Sequence, residues 1–208
     1  NIKYKMEGEI RYRDKDLDLS IPSSEYTKIP ISPIQMVFQD PRTSLNMKMP
    51  VYDQLKESVV LKYQKDGTKP HDLDAEIRDL AFKMKLSEKH LKYLPTDMSG
   101  GQRRRFGLAK IMAMRPQLII ADEPVASLDV SIKEQIMDVI FDLNRDYQIT
   151  LIIISHDISL LMKRADKICV IHEKELVDCW DPSEEPTNEA TKKLVSHSNY
   201  VNQLLSDE

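Results

Sequence analysis

Three aliphatic runs constrain this chain more than any other feature: IQMVF at 34–38, LIIA at 118–121 and TLIII at 150–154. LIIA and TLIII show no apolar–polar alternation. Such runs read as strands buried on both faces, the pattern of a parallel sheet enclosed by helices. KICVI at 167–171 reads as a further strand, and residues 9–13 as another. SIPSSEYTKIPISP, at 20–33, is rich in Pro and Ser and reads as loop. The fold class is therefore α/β, with a mainly parallel sheet covered on both faces.

The segments between the strands carry helical periodicity. Leu55 and Val59 begin one apolar stripe, and Leu73, Ile77, Leu80, Ala81 and Met84 form a cleaner one. Pro95 ends that region. Ser99 and Gln102 have capping-box spacing, which predicts a helix from Ser99 to about Met114, stopped by Pro116. Ser131 and Glu134 have the same spacing and predict a second helix, with Ile132, Ile136, Val139, Ile140 and Leu143 along one face. Residues 157–164 read as a third. From Asp181 onward the chain is polar, with a weak helix near its end.

In parallel sheets of this kind, ligands bind beyond the carboxyl ends of the strands. Here each of the three runs delivers polar groups to that edge. Gln39 follows IQMVF, Asp122 and Glu123 follow LIIA, and Ser155 and His156 follow TLIII. Adjacent carboxylates suit phosphate chemistry: one holds Mg²⁺ through water and its neighbour orients or deprotonates the attacking water. His156 is placed to donate a hydrogen bond to a phosphate oxygen, and Gln39 to contact metal, water or ligand. Ser99, Gly100 and Gly101 at a helix N-terminus make an anion site. The RRR run at 103–105 reads as a solvated helix face. His71, His90, His172 and His197 read as surface residues.

Net charge is −4, which argues against a surface that coats nucleic acid. Cys169 and Cys179 lack metal-ligand spacing. Cys169 lies in an apolar stretch and reads as a buried core thiol in a reduced, cytoplasmic setting. The longest purely apolar run, 151–154, is far too short to span a bilayer. No segment reads as a signal peptide.

These motifs, in this order, resemble the ATP-binding subunits of ABC transporters. Gln39 matches the Q-loop, MSGGQRRR the signature motif, LIIADEP the Walker B strand with its catalytic Glu123, ASLD the D-loop and His156 the switch histidine. VFQDPRTSLNMKM and DEPVASLDVSI look like the oligopeptide/dipeptide importer branch, and Gln102 like the second of its paired ATPases.

The resemblance implies a RecA-like core and an inserted α-helical subdomain. Residues 1–45 would hold part of the ATP-binding core with the Q-loop, and 46–112 the helical subdomain ending in the signature motif. Residues 113–180 would complete the core, and 181–208 form a polar tail. It further implies ATP and Mg²⁺ as cofactors. Gln39, Glu123 and His156 would be catalytic, with Asp122 and Gln39 on the metal through water. Ser99, Gly100, Gly101 and Gln102 would contact ATP across a dimer, and Ser127, Leu128 and Asp129 would form the D-loop. Implied partners are a second ATP-binding subunit, two transmembrane permease subunits and, indirectly, an extracytoplasmic solute-binding protein, at the cytoplasmic face of the membrane.

One family element has no match: no G-x-x-x-x-G-K-[ST] loop occurs in the chain. The expectation is therefore that the N-terminal part of the domain, with its P-loop, is absent and that the chain alone is inactive. The leading expectation is an importer ATPase whose front portion lies upstream; the alternatives are a non-catalytic partner lending its signature motif in trans and the C-terminal half of a chromosome-maintenance ATPase head. Intact Glu123 and His156 weigh against the first alternative. The presence of Gln39 and Ser99 on one chain weighs against the second.

Overall fold

The computed structural model describes residues 10–12, 15–17 and 33–206, with side chains over 33–198. The chain divides into two units, residues 1–32 and 33–208. In the first, β1 (Ile10–Tyr12) pairs antiparallel with β2 (Lys15–Leu17). The second strand of this hairpin has no apolar signal in the sequence. The loop read at 20–33 lies almost wholly outside the described residues.

The second unit is built on a three-stranded parallel sheet, β3 (Ile34–Val37), β4 (Leu118–Asp122) and β5 (Thr150–Ile154), in that spatial order. The register sets Val37, Ala121 and Ile153 side by side. Ile119 and Ala121 are buried on this side of the sheet. The other side departs from expectation. Met36 is 39% exposed, Ile152 48% and Ile154 50%, so among the described residues this face is uncovered. Unbroken apolar runs gave no hint of this, because composition records hydrophobicity and not which neighbours are present.

Between β3 and β4 lies a helical lobe. α1 (Val51–Asp66) buries Val51, Gln54, Leu55 and Val59, one stripe at i, i+3, i+4, i+8. It ends at Gly67, whose φ of 66° places it in the left-handed region where glycine carries no Cβ penalty. α2 (Leu73–Lys83) starts on Asp72, whose carboxylate accepts the Ala75 N–H at 2.9 Å. Ile77, Ala81 and Met84 of the expected stripe are buried. Short 3₁₀ turns at Glu88–Lys92 and Pro95–Asp97 lead into α3 (Gly100–Ala113), which joins the lobe to the sheet.

α4 (Val130–Tyr147) follows β4 and buries Ile136, Val139, Ile140 and Leu143 as read. Its N-cap differs. Asp129, not Ser131, accepts the Ile132 N–H at 3.0 Å. Ser131 Oγ donates to the same carboxylate, and Glu134 pairs with Arg164 at 2.7 Å, so the second capping box does not form. An aspartate two residues earlier is a competent cap, and spacing alone could not choose between them.

The helix read at 157–164 is the short α5 (Ser159–Met162). β6 (Ile168–His172) does not extend the parallel sheet but pairs antiparallel with β7 (Glu175–Trp180), a strand absent from the sequence reading. Strand alternation turns Ile168 and Trp180 inward and the opposed Cys169 and Cys179 outward, side by side on the exposed face. This corrects the expectation of a buried thiol at Cys169. α6 (Glu189–Ser206) is the terminal helix. Its entry is fixed by the buried Asp178, which accepts the N–H groups of Thr187 and Asn188 at 3.1 and 3.0 Å. Among the described residues no helix is long and apolar enough to cross a membrane.

Candidate functional site

The carboxyl edge of the parallel sheet gathers the residues singled out from the sequence. Glu123 leaves β4 with φ of 45°, a left-handed conformation that a non-glycine residue rarely adopts. Its N–H is held by Ile154 O at 2.9 Å, the last residue of β5. Its side chain then meets the next loop along. Glu123 Oε1 accepts the His156 backbone N–H at 3.0 Å and lies 2.7 Å from His156 Nδ1. Glu123 Oε2 is buried with no hydrogen-bond partner among the described residues. A buried carboxylate oxygen without a partner is costly, and its presence points to a group that completes it.

The loop carrying His156 is braced from below. Asp157 lies 3.8 Å from Lys133 and accepts from Ser159 Oγ at 2.6 Å. Arg164 reaches back to Glu134 and Asp138 of α4 at 2.7 and 2.8 Å, and these carboxylates hold its guanidinium above its usual pKa. The imidazole itself stays 75% exposed. Asp122 ends β4 half-buried, opposite Ile154, and Gln39 is exposed two residues past β3.

Among the described residues no cluster of three or more His, Cys, Asp or Glu could hold a metal unaided. One or two carboxylates with open positions fit Mg²⁺, which keeps water and substrate phosphate oxygens in its shell. Asp122, at the end of β4, is a donor of that kind.

The second group sits at the start of α3. Ser99 is the N-cap as read: its Oγ accepts the Gln102 N–H at 3.2 Å, and Gln102 Oε1 accepts the Ser99 N–H at 2.9 Å. Gln102 Nε2 also lies 3.2 Å from His90 Nε2, so this side chain is fully engaged. The two glycines have a packing reason as well. A Cβ on Gly101 would lie 2.8 Å from Ile132 Cγ2, and one on Gly100 3.5 Å from Leu128 Cδ2. The helix thus packs directly on the Leu128–Ile132 turn. Asp129, expected in a functional loop, is the cap of α4, and the Ile132 N–H it accepts lowers its pKa.

Two sequence readings fail here. His90 is a buried residue and not a surface one; its Nδ1 lies 2.9 Å from both the N–H and the Oγ of Ser87, and burial lowers its pKa. RRR is not a solvated face: Arg104 is 5% exposed. A signal existed, since Gly101, Arg104, Leu108 and Met112 fall on one helical stripe.

The model of the ABC transporter family matches residues 2–126. The oligopeptide transport ATP-binding protein OppF of Streptococcus mutans is 38% identical over 78% of this chain and 53% of its own length. OppD of Escherichia coli is 37% identical over 79% of the chain and 48% of its own. The dipeptide transport ATP-binding protein DppF of Lactococcus lactis is 34% identical over 91% and 60%. The chain thus spans about half the length of these curated relatives, and near-equal identity to OppF and OppD does not separate the two.

Among solved structures, the dimeric post-hydrolysis form of the ATP-binding cassette MJ0796, bound to ADP and Pi, superposes with a TM-score of 0.71 at 24% identity, over 86% of this chain and 75% of that one. CbiO1 of Clostridium perfringens gives 0.70 at 24%, over 94% and 75%. These share the fold: a parallel-sheet core with flanking helices.

The match from residue 2 overturns the expectation that the N-terminal part of the domain is absent, and with it the expectation of an inactive chain. That expectation rested on one short loop pattern, a narrow test. The family model weighs all positions from 2 to 126 together.

Proposed function

The chain belongs to the ABC transporter family, and on that premise we propose that it is the ATP-hydrolysing subunit of an oligopeptide or dipeptide importer. The observation that carries this is Glu123. It is fixed by a left-handed backbone and a bond to β5, engaged through one oxygen with His156, and left with a buried, unpartnered second oxygen. That is the arrangement a general base needs: a set direction and one free acceptor for the proton of an attacking water.

In this reading ATP supplies the phosphoryl group. Asp122 and Gln39 would hold a Mg²⁺ ion, which would supply charge neutralisation for the phosphates. Glu123 takes the proton from the attacking water, and His156, oriented by Glu123, donates to a phosphate oxygen. Ser99 and the N–H groups of Gly100 and Gly101 contact the nucleotide of a second subunit, with Gln102 fixing Ser99 and residues Ser127, Leu128 and Asp129 lying along that contact. Residues 1–45 and 113–180 make up the ATP-binding core, 46–112 the helical subdomain and 181–208 the tail. The names of the OppF, OppD and DppF relatives support a peptide as the solute. The partners are a second ATP-binding subunit, two permease subunits and, through them, a solute-binding protein, which puts the chain at the cytoplasmic face of the membrane.

The test is ATP turnover by the natural full-length protein in its assembly, with Glu123→Gln. Turnover falls about 10² to 10⁴-fold, as for loss of a general base, while ATP binding persists. Hydrolysis near the unmodified rate removes the assignment.

A further inference from the structure

Arg104 is one of the few charged side chains in the interior, 5% exposed, and among the described residues its hydrogen bonds run to backbone carbonyls and not to a carboxylate. Its Nη1 donates to Phe38 O at 3.4 Å and its Nη2 to Ala126 O at 3.3 Å, while its Nε is buried without an acceptor. Burial lowers its pKa, offset in part by Asp40 nearby. Two long bonds to neutral carbonyls repay little of the cost of desolvating a guanidinium, and an apolar side chain of the same length would fit the stripe more cheaply. A residue that costs stability and still occupies the core points to another role.

The two carbonyls say which. Phe38 O belongs to the peptide that leads into Gln39, and Ala126 O to the peptide that leads into Ser127, where φ turns to 61°. Both loops leave neighbouring strands of one sheet, β3 and β4. Arg104 itself stands on the first turns of α3, five residues from Ser99. Lower on the same helix, Lys110 Nζ donates to Ser44 O at 3.0 Å and holds the far side of the Gln39 loop.

We propose that Arg104 is a positioning residue, whose guanidinium fixes the peptides entering Gln39 and Ser127 to the helix that carries Ser99, so that the three motifs move as one piece. The inference rests on the ATPase reading above for its kinetic consequences but not for its structural ones.

The experiment uses the natural full-length protein in its assembly, with Arg104→Met, Gln39→Ala and the double variant, and Glu123→Gln as the reference. Misplacement by an ångström can cost about 10²-fold in rate. Arg104→Met is expected to lower kcat by a factor of that order while its melting midpoint stays level or rises. Because both changes act through one loop, the double variant should be no slower than the slower single variant. Independent effects that multiply, or a kcat for Arg104→Met within twofold of the unmodified protein, overturn the proposal. So does a fall in melting temperature that accounts for the lost activity.

Amide hydrogen exchange gives a reading that needs no ATPase activity: the hydrogen-bonded amides of Arg42, Thr43 and Ala126 in the two loops should exchange at least tenfold faster in Arg104→Met, with the rest of α3 unchanged. Unchanged exchange in both loops refutes the proposal, whatever becomes of Glu123→Gln. If Arg104→Met does not fold, Arg104→Lys keeps the charge and stem but not the two-pronged reach, and should show the same kinetic loss. Full turnover in that variant counts against the inference, whereas full turnover in Glu123→Gln counts against the ATPase reading alone.

Discussion

Gln54, in the helical lobe, and Glu123, at the carboxyl edge of the sheet, show polar groups treated in opposite ways. In the lobe, Gln54 is 1% exposed and almost saturated: its Oε1 accepts the Asn46 N–H at 3.0 Å, and its Nε2 donates to Asn46 O and Met49 O, both at 2.8 Å. Tyr52 donates to Asp74, and Arg115 donates to Tyr63 and Glu76. At the edge, Glu123 keeps a buried oxygen unmatched, sits at positive φ and holds an imidazole that is mostly in solvent. Satisfied groups specify a fold, whereas unsatisfied and strained ones in a structured setting mark where a ligand completes the account.

Four measurements sharpen or break that contrast. The largest expected effect is catalytic and has no counterpart in stability: Glu123→Gln slows turnover by orders of magnitude yet leaves the melting midpoint level, since an amide keeps the contact with the His156 N–H and removes a buried charge. A clear drop in the midpoint would make Glu123 one more structural residue like Gln54. Next, Gln54→Leu should cost about 3 kcal/mol by stranding three backbone groups of the 46–49 loop, read by denaturant unfolding. A loss under about 1 kcal/mol would mean the loop finds water in its place.

Smaller is Gly101→Ala. Its Cβ would meet Ile132 Cγ2 at 2.8 Å, an overlap expected to cost about 1–3 kcal/mol. Adding Ile132→Ala should recover part of it; no recovery would place the strain elsewhere. The smallest concerns Asp129, whose pKa is lowered first by the Ile132 N–H and then by Ser131 Oγ. Its stabilising effect is present above the ordinary aspartate value near 3.8 and is lost as pH falls through the lower folded value. The gap in melting temperature between the unmodified protein and Asp129→Ala should therefore close in that acid window, and a gap independent of pH would mean the carboxylate is not the cap.

Legibility followed the range of the interactions. The Ser99–Gln102 box was readable because both partners lie within one turn, and the stripes of α1, α2 and α4 because helical period is local. The rival box at Ser131 was misread because a one-dimensional pattern cannot rank Asp129 above it. Cys169 was misplaced because the alternation of β6 only becomes visible once β7 is found, and β7 has little apolar signal. The gap where a phosphate-binding loop was sought misled for the same reason: a short pattern was given more weight than the match over residues 2–126.

The sequence by itself determined the parallel core, the order in which polar groups reach its edge, and the Ser99–Gln102 cap, because these follow from neighbours a few residues apart. The tertiary structure alone decided that Glu123 Oε1 meets His156, that Ile132 fills the space beside Gly101, and that Arg104 turns inward to bridge Phe38 and Ala126. Each of those joins residues many positions apart, and only packing sets which of the available partners arrives.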